Sequence, residues 1–201
     1  MPPRLLLALM TLTVCAAAAV AGVVLAEGSR EPADVQADPS GWAGAVRPPG
    51  AVVPAFRLAD QDGNPVTSAS LRGSPQVFTF VYSTCEDTCP AQVQTIRGAL
   101  DDLGRDVGVV AVSVDPANDT PRRARSFLLE QTMTGRMRYL LGSRRALATV
   151  WRGFGIAPQE DELEHSAYVV LVDGDGRQRV GFPFSQLTQE RLVHDLRRLG
   201  A

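Results

Sequence analysis

The chain has 201 residues, enough for one domain of ordinary size plus a tether, and its 45% hydrophobic content suits a real core. A formal charge of -2 gives no long-range attraction for nucleic acid and argues against that class of partner. Three cysteines, Cys15, Cys85 and Cys89, are too few for a disulfide scaffold.

The chain opens with Arg4 and an apolar run over residues 5–26, which ends at Glu27. The run is long enough to cross a bilayer and longer than the apolar stretch of most cleaved signals, yet Val24-Leu25-Ala26 also reads as a cleavage site. Residues 1–26 are therefore expected to be a signal sequence or an N-terminal membrane anchor. Arg4 on the short side predicts an exported domain at the extracytoplasmic face of the cell membrane. Cys15 follows Val14 inside the run and reads as one of its apolar residues rather than a lipidation site. Residues 27–50, rich in Pro, Gly and Ala without an apolar period, read as a flexible linker. The folded domain is expected over residues 51–201.

Within it, Phe56, Leu58 and Val66 flank Asp62-Gly63-Asn64 and suggest a small hairpin. Residues 76–82 and 107–114 are nearly continuous β-branched and apolar runs, the pattern of strands buried on both faces. Val93, Ile96, Leu100 and Leu103 recur between them at helical spacing, with Pro90 suited to a first turn. Strand, helix, strand in that order implies a right-handed crossover. Asp119-Thr120-Pro121 reads as the cap and first turn of a helix running to about Gln131. Leu147, Val150, Trp151 and Phe154 mark another helix, and these two aromatic residues are assigned to the core. Residues 167–172 and 178–184 around Asp173-Gly174-Asp175-Gly176 predict an antiparallel hairpin; the acidic turn lacks the downstream ligands of a calcium loop. Leu192, Val193, Leu196 and Leu199 close the chain with an amphipathic helix, whose polar face carries Glu190, His194 and Arg197. The order predicts an α/β domain on the thioredoxin-like plan, a central mixed β-sheet flanked by helices.

The chemistry concentrates in Tyr82-Ser83-Thr84-Cys85-Glu86-Asp87-Thr88-Cys89-Pro90, where the first buried strand gives way to its crossover helix. Open α/β sheets place ligands at such points. Cys89 shares the inward face of Val93 and Ile96, and Cys85 lies one turn earlier. Sulfurs at that spacing converge on one metal ion or join as a structural disulfide, and both readings stay open on spacing alone. Backbone N–H groups at the helix start favour thiolates, whereas Glu86 and Asp87 oppose them, so no strongly acidic thiol is expected. His165, in Glu164-His165-Ser166, precedes the third apolar strand, at an edge where thioredoxin-type oxidoreductases carry a proline. Imidazole with two thiolates is a soft donor set that favours Cu(I) and also holds Cu(II); zinc usually seeks a fourth ligand. A lone histidine in a loop is ordinarily a surface residue, and only its pairing with the cysteines makes it a candidate. Asp115, at the end of the second buried strand, either tunes this rim or caps the turn before Pro116.

These segments resemble the Sco/SenC family of copper-binding proteins. Residues 80–90 look like its Cys-x-x-x-Cys-Pro segment, and Ser113-Val114-Asp115-Pro116 with Asp119-Thr120-Pro121 looks like its second signature. Glu164-His165-Ser166 is similar to its Asp-His-Ser or Asp-His-Thr, with Glu164 in place of the aspartate. The resemblance covers roughly residues 51–201. It implies a thioredoxin-like fold and copper ligation by Cys85, Cys89 and His165, with delivery to the copper-site subunit of cytochrome c oxidase or another exported cuproprotein, or reduction of that client's cysteines. Two activities follow: a metallochaperone, or a thiol–disulfide oxidoreductase cycling Cys85 and Cys89 as a redox-active pair. Residues 54–73 are also similar to thioredoxin-like peroxidases, whose chemistry would need neither Cys89-Pro90 nor His165.

Overall fold

The computed structural model describes residues 39–105, 107–158 and 167–200. The predicted leader, Cys15 and the first part of the linker lie outside the described residues, as does His165. Among the described residues no helix is long and apolar enough to cross a membrane.

The strands are β1 (Ala45–Val46), β2 (Arg57–Ala59), β3 (Pro65–Thr67), β4 (Gln76–Val81), β5 (Gly108–Ser113), β6 (Met137–Leu140), β7 (Tyr168–Val172) and β8 (Gln178–Pro183). The helices are α1 (Thr88–Leu103), α2 (Pro121–Glu130), α3 (Arg144–Phe154) and α4 (Gln189–Arg198). Six strands form one sheet in the order β1-β8-β7-β4-β5-β6, and β2 and β3 make a separate hairpin. The β4–β5 and β5–β6 pairs are parallel, and β7 runs antiparallel to both β4 and β8. This is the thioredoxin-like arrangement expected from the sequence.

Alternation along the central strands divides the core. Val77 and Val81 of β4, with Val109 and Ala111 of β5, pack on one face against Val93 and Ile96 of α1, Phe127 of α2 and Leu192 of α4. Phe78, Phe80, Val110 and Val112 face the other side, against Leu147, Trp151 and Phe154 of α3 and Leu58 and Val66 of the hairpin. The period-two pleat thus buries every residue of β4, which is why its sequence reads as an unbroken apolar run. Side-chain N-caps begin three helices: Thr120, as the sequence suggested, and also Ser143 and Thr188 accept from the N–H groups of Arg123, Ala146 and Arg191. Asp173 Oδ1 accepts from Asp175 N and Arg177 N, so the acidic motif is a turn closed by its own carboxylate.

The linker expectation needs correction at its C-terminal end. From Gly41 the chain packs onto the domain, and β1 extends the sheet beside β8. Trp42 is buried with the guanidinium groups of Arg179 and Arg198 5.6 and 4.8 Å from its ring centre. Asp195 of α4, 0% exposed, accepts from Ala43 N at 2.8 Å and Gly44 N at 2.9 Å. Gly44 lies so close to the Phe182 ring that a Cβ would meet it at 2.6 Å. Backbone pairing, one aromatic side chain and the distant Asp195 carboxylate hold this strap, none of which leaves a periodic trace in sequence. His194 is less solvated than its polar-face position suggested, with Nδ1 2.8 Å from Asp195 Oδ1.

Candidate metal centre

The parallel strands β4 and β5 end side by side at one edge of the sheet, and the chain leaving β4 forms the loop that carries Cys85. The turn is closed by Cys85 N donating to Tyr82 O at 3.3 Å. Helix α1 begins at Thr88, which places Cys89 and Pro90 in its first turn. Cys89 points inward and is 1% exposed, while Cys85 is partly exposed at the loop. Both are free thiols, and Cys89 N donates to Cys85 Sγ at 3.2 Å. The i, i+4 spacing has therefore brought the two sulfurs together at a helix N-terminus, as predicted.

No strongly acidic thiol was expected, yet the donors gathered around Cys85 favour its thiolate. Cys85 is held down to about 5, first by the hydrogen bond from the Cys89 thiol and then by N–H donors of Cys89 and Asp87 and the Tyr82 hydroxyl, which together outweigh partial burial. Glu86 and Asp87 are too weakly coupled to reverse this, because four donors address the sulfur directly. Cys89 moves the opposite way: donating to Cys85 and being buried both keep its proton on. Tyr82 is pushed up to about 12 by burial and by its hydrogen bond to Cys85. The hydrogen bonding therefore favours a pair that shares one proton, with thiolate character on the partly exposed Cys85 sulfur.

Behind the loop stands Asp119, 8% exposed, which the sequence placed at a helix start and in the second family signature, without a role at the site. Its Oδ1 accepts from Ser83 N at 2.7 Å and Ser83 Oγ at 2.5 Å; its Oδ2 accepts from Ser113 Oγ at 2.5 Å and Tyr139 Oη at 3.0 Å. Burial, then the Asp119 charge, keeps the Tyr139 hydroxyl protonated and hence a donor. Asp115 caps its own turn, one of the two readings weighed for it. Its Oδ2 accepts from Asn118 Nδ2 at 2.8 Å in its own turn, and its charge is felt at Tyr82.

His165 falls in residues 159–166, outside the described residues, so the structure brings together two of the three predicted ligands and leaves the third untested. Among the described residues no group of three or more His, Cys, Asp or Glu side chains gathers. The chain resumes at Ala167, and the carbonyl of Tyr168 accepts from Gln92 Nε2 at 3.4 Å. Gln92 is fully buried one turn beyond Cys89, also donates to Thr79 Oγ1, and its Oε1 has no partner among the described residues. The roles of Asp119 and Gln92 at the site had no signal in sequence, since each bonds segments as far as 36 and 76 positions away.

With this geometry in hand, the SCO1/SenC family model matches residues 44–201. The chain belongs to the SCO1/SenC family. Its structure is similar to that of Bradyrhizobium japonicum ScoI, solved with copper bound, at a TM-score of 0.62 and 32% identity, covering 74% of this chain and 99% of that one. Among curated SCO1/SenC relatives, Protein sco1 of Schizosaccharomyces pombe is 27% identical over 137 residues, covering 61% of this chain and 51% of that protein. The Bacillus subtilis SCO1 protein homolog is 28% identical over 138 residues, covering 61% of this chain and 68% of its own length. The match to the S. pombe relative thus spans about half of that protein. The strap from Gly44 onward falls inside the family match, in accord with its packing on the domain.

Proposed function

We propose that this protein is an exported copper metallochaperone, tethered or released through residues 1–26, that holds copper as cargo between Cys85, Cys89 and His165 and passes it to a client's thiol site. The observation that carries the reading is the sulfur pair at the start of α1. Cys85 is a thiolate at neutral pH, and Cys89 lies one helical turn away with its N–H on the Cys85 sulfur. Soft sulfur donors fit Cu(I) well, and a single shared proton is all that must leave for both to ligate. The buried Cys89 fixes one ligand while the partly exposed Cys85 keeps the site open to a partner. The similarity to a copper-bound ScoI supports the choice of metal. By the same family argument the client is the copper-site subunit of cytochrome c oxidase or another exported cuproprotein.

The low position of Cys85 favours a second reading on the same residues, reduction of a client disulfide. Cys85 thiolate attacks one sulfur of that disulfide, forming a mixed disulfide and expelling the client's other sulfur as thiolate. Cys89 then loses its proton and attacks Cys85 Sγ, releasing the second client thiolate. The two electrons come from the pair, which ends as a Cys85–Cys89 disulfide.

The test is copper loading of the exported domain with the pair reduced and with it oxidised. The chaperone reading expects one copper per chain in the reduced form and none after oxidation. Equal loading of both forms would refute ligation by the pair. A reduced form that takes no copper yet reduces a disulfide substrate would leave only the reductase.

A further inference from the structure

Ser83 and Asp119 are 36 positions apart in sequence, yet Asp119 Oδ1 accepts from both the N–H and the hydroxyl of Ser83. Ser83 is two residues before Cys85. The other oxygen, Oδ2, is seated on Ser113 at the end of β5 and on Tyr139 in β6, both fully buried. Tyr139 Oη also reaches Val81 O at 3.3 Å, and Val114 N donates to the same carbonyl at 3.0 Å. The end of β4 is thus pinned at Val81 and again at Ser83, and the cysteine loop leaves from the second pin. Among the described residues every hydrogen-bond partner of Asp119 is a neutral donor, and none of them forms an ion pair with it. A buried carboxylate without a counter-ion is costly to desolvate, and an uncharged cap would serve a simple turn at less cost.

Disulfide formation and metal binding make different demands on this loop. A disulfide needs its sulfurs about 2.05 Å apart, whereas two thiolates on one metal stay well separated. Cys89 is fixed in a buried helical turn, so Cys85 is the sulfur that must travel. Its travel is limited by where Ser83 is held. We propose that Asp119 is the positioning residue of the site, clamping Ser83 so that the Cys85 loop is held open in the dithiol arrangement that receives metal. The clamp acts through the backbone of the loop: Asp119 hydrogen-bonds Ser83, two residues before Cys85, and reaches Cys89 only through its charge, which Ser83→Ala leaves in place.

The test compares Ser83→Ala, Asp119→Asn and a control, Val193→Ala in α4, which removes buried apolar volume without touching the Asp119–Ser83 hydrogen bonds. The measurements are Cu(I) affinity by competition with a chelator, the Cys85–Cys89 thiol–disulfide equilibrium against glutathione, and urea denaturation. Ser83→Ala changes no charge, and its equilibrium is expected to move about tenfold toward the disulfide, about 30 mV more negative in potential. Both loop variants are expected to lose about tenfold in copper affinity, while the control loses stability alone. If Ser83→Ala and Asp119→Asn only lower stability, as the control does, with affinity and equilibrium unchanged, the clamp is structural and the proposal falls. The copper arm rests on the metallochaperone reading, whereas the disulfide arm does not. A parent protein that binds no copper would overturn that reading and still let the glutathione equilibrium decide the role of Asp119. Should Asp119→Asn fail to fold, Ser83→Ala decides alone.

Discussion

The thiol asymmetry makes a quantitative prediction about chemical reactivity. An ordinary cysteine at pKa 9.0 is about 0.01% thiolate at pH 5, whereas Cys85 at about 5 is half ionised there, a ratio of about 5000. Nucleophilicity falls with basicity by a Brønsted slope of about 0.45, so a four-unit drop costs about 60-fold in intrinsic rate. Cys85 should therefore react with iodoacetamide about 80-fold faster than a free-cysteine peptide at pH 5, but within about twofold of it at pH 7. The assay is the pH dependence of alkylation of the reduced domain, with the labelled site identified by mass spectrometry. Label should enter Cys85 first, because Cys89 is buried and protonated. A Cys85 rate that still climbs tenfold per pH unit between 6 and 8, or prior labelling of Cys89, would refute the hydrogen-bonded thiolate.

Three further outcomes follow from the same structure. Tyr82→Phe removes one donor to Cys85 and should move its alkylation midpoint upward by about one unit; an unmoved midpoint would mean the hydroxyl does not reach the sulfur. Because Cys85 is depressed in the folded state, its contribution to stability is fully present above about pH 9 and is lost as pH falls toward 5. Cys89 stays protonated below pH 9 folded or unfolded, so urea denaturation of the parent against Cys85→Ser should show an advantage that grows from pH 5 to pH 8, and a constant difference would contradict the assignment. Asp195→Ala strips the acceptor from Ala43 N and Gly44 N and should cost about 2–4 kcal/mol by denaturant titration, with new proteolytic sensitivity near Trp42. A loss below about 0.5 kcal/mol would mean that the strap contributes little.

Much of this fold was legible because its elements carry period. Val93, Ile96 and Leu100 place α1, the apolar runs place β4 and β5, and Asp62-Gly63-Asn64 and Asp173-Gly174-Asp175-Gly176 place both hairpins. β6 escaped because Met137-Arg138-Tyr139-Leu140 is a short edge strand with an exposed arginine breaking its apolar run. β1 escaped because two residues in a Pro- and Gly-rich stretch hold their place by pairing with β8, far along the chain. The cysteine pair was legible from its i, i+4 spacing, but not its charge. The acidity of Cys85 depends on which donors the folded loop aims at its sulfur, and the nearby Glu86 and Asp87 pointed the other way. Asp119 shows the same limit. Its sequence neighbours describe a helix start, whereas its side chain is turned toward Ser83, Ser113 and Tyr139 on three different segments.

The central claim is that His165 joins Cys85 and Cys89 in holding copper, and the most direct measurement is copper stoichiometry and affinity of the reduced domain beside its His165→Ala variant. The three-ligand account predicts one tightly held copper per chain in the parent and binding lost, or weakened at least tenfold, in the variant, with Cys85 and Cys89 still able to form their disulfide. A variant that binds copper as tightly as the parent would contradict it.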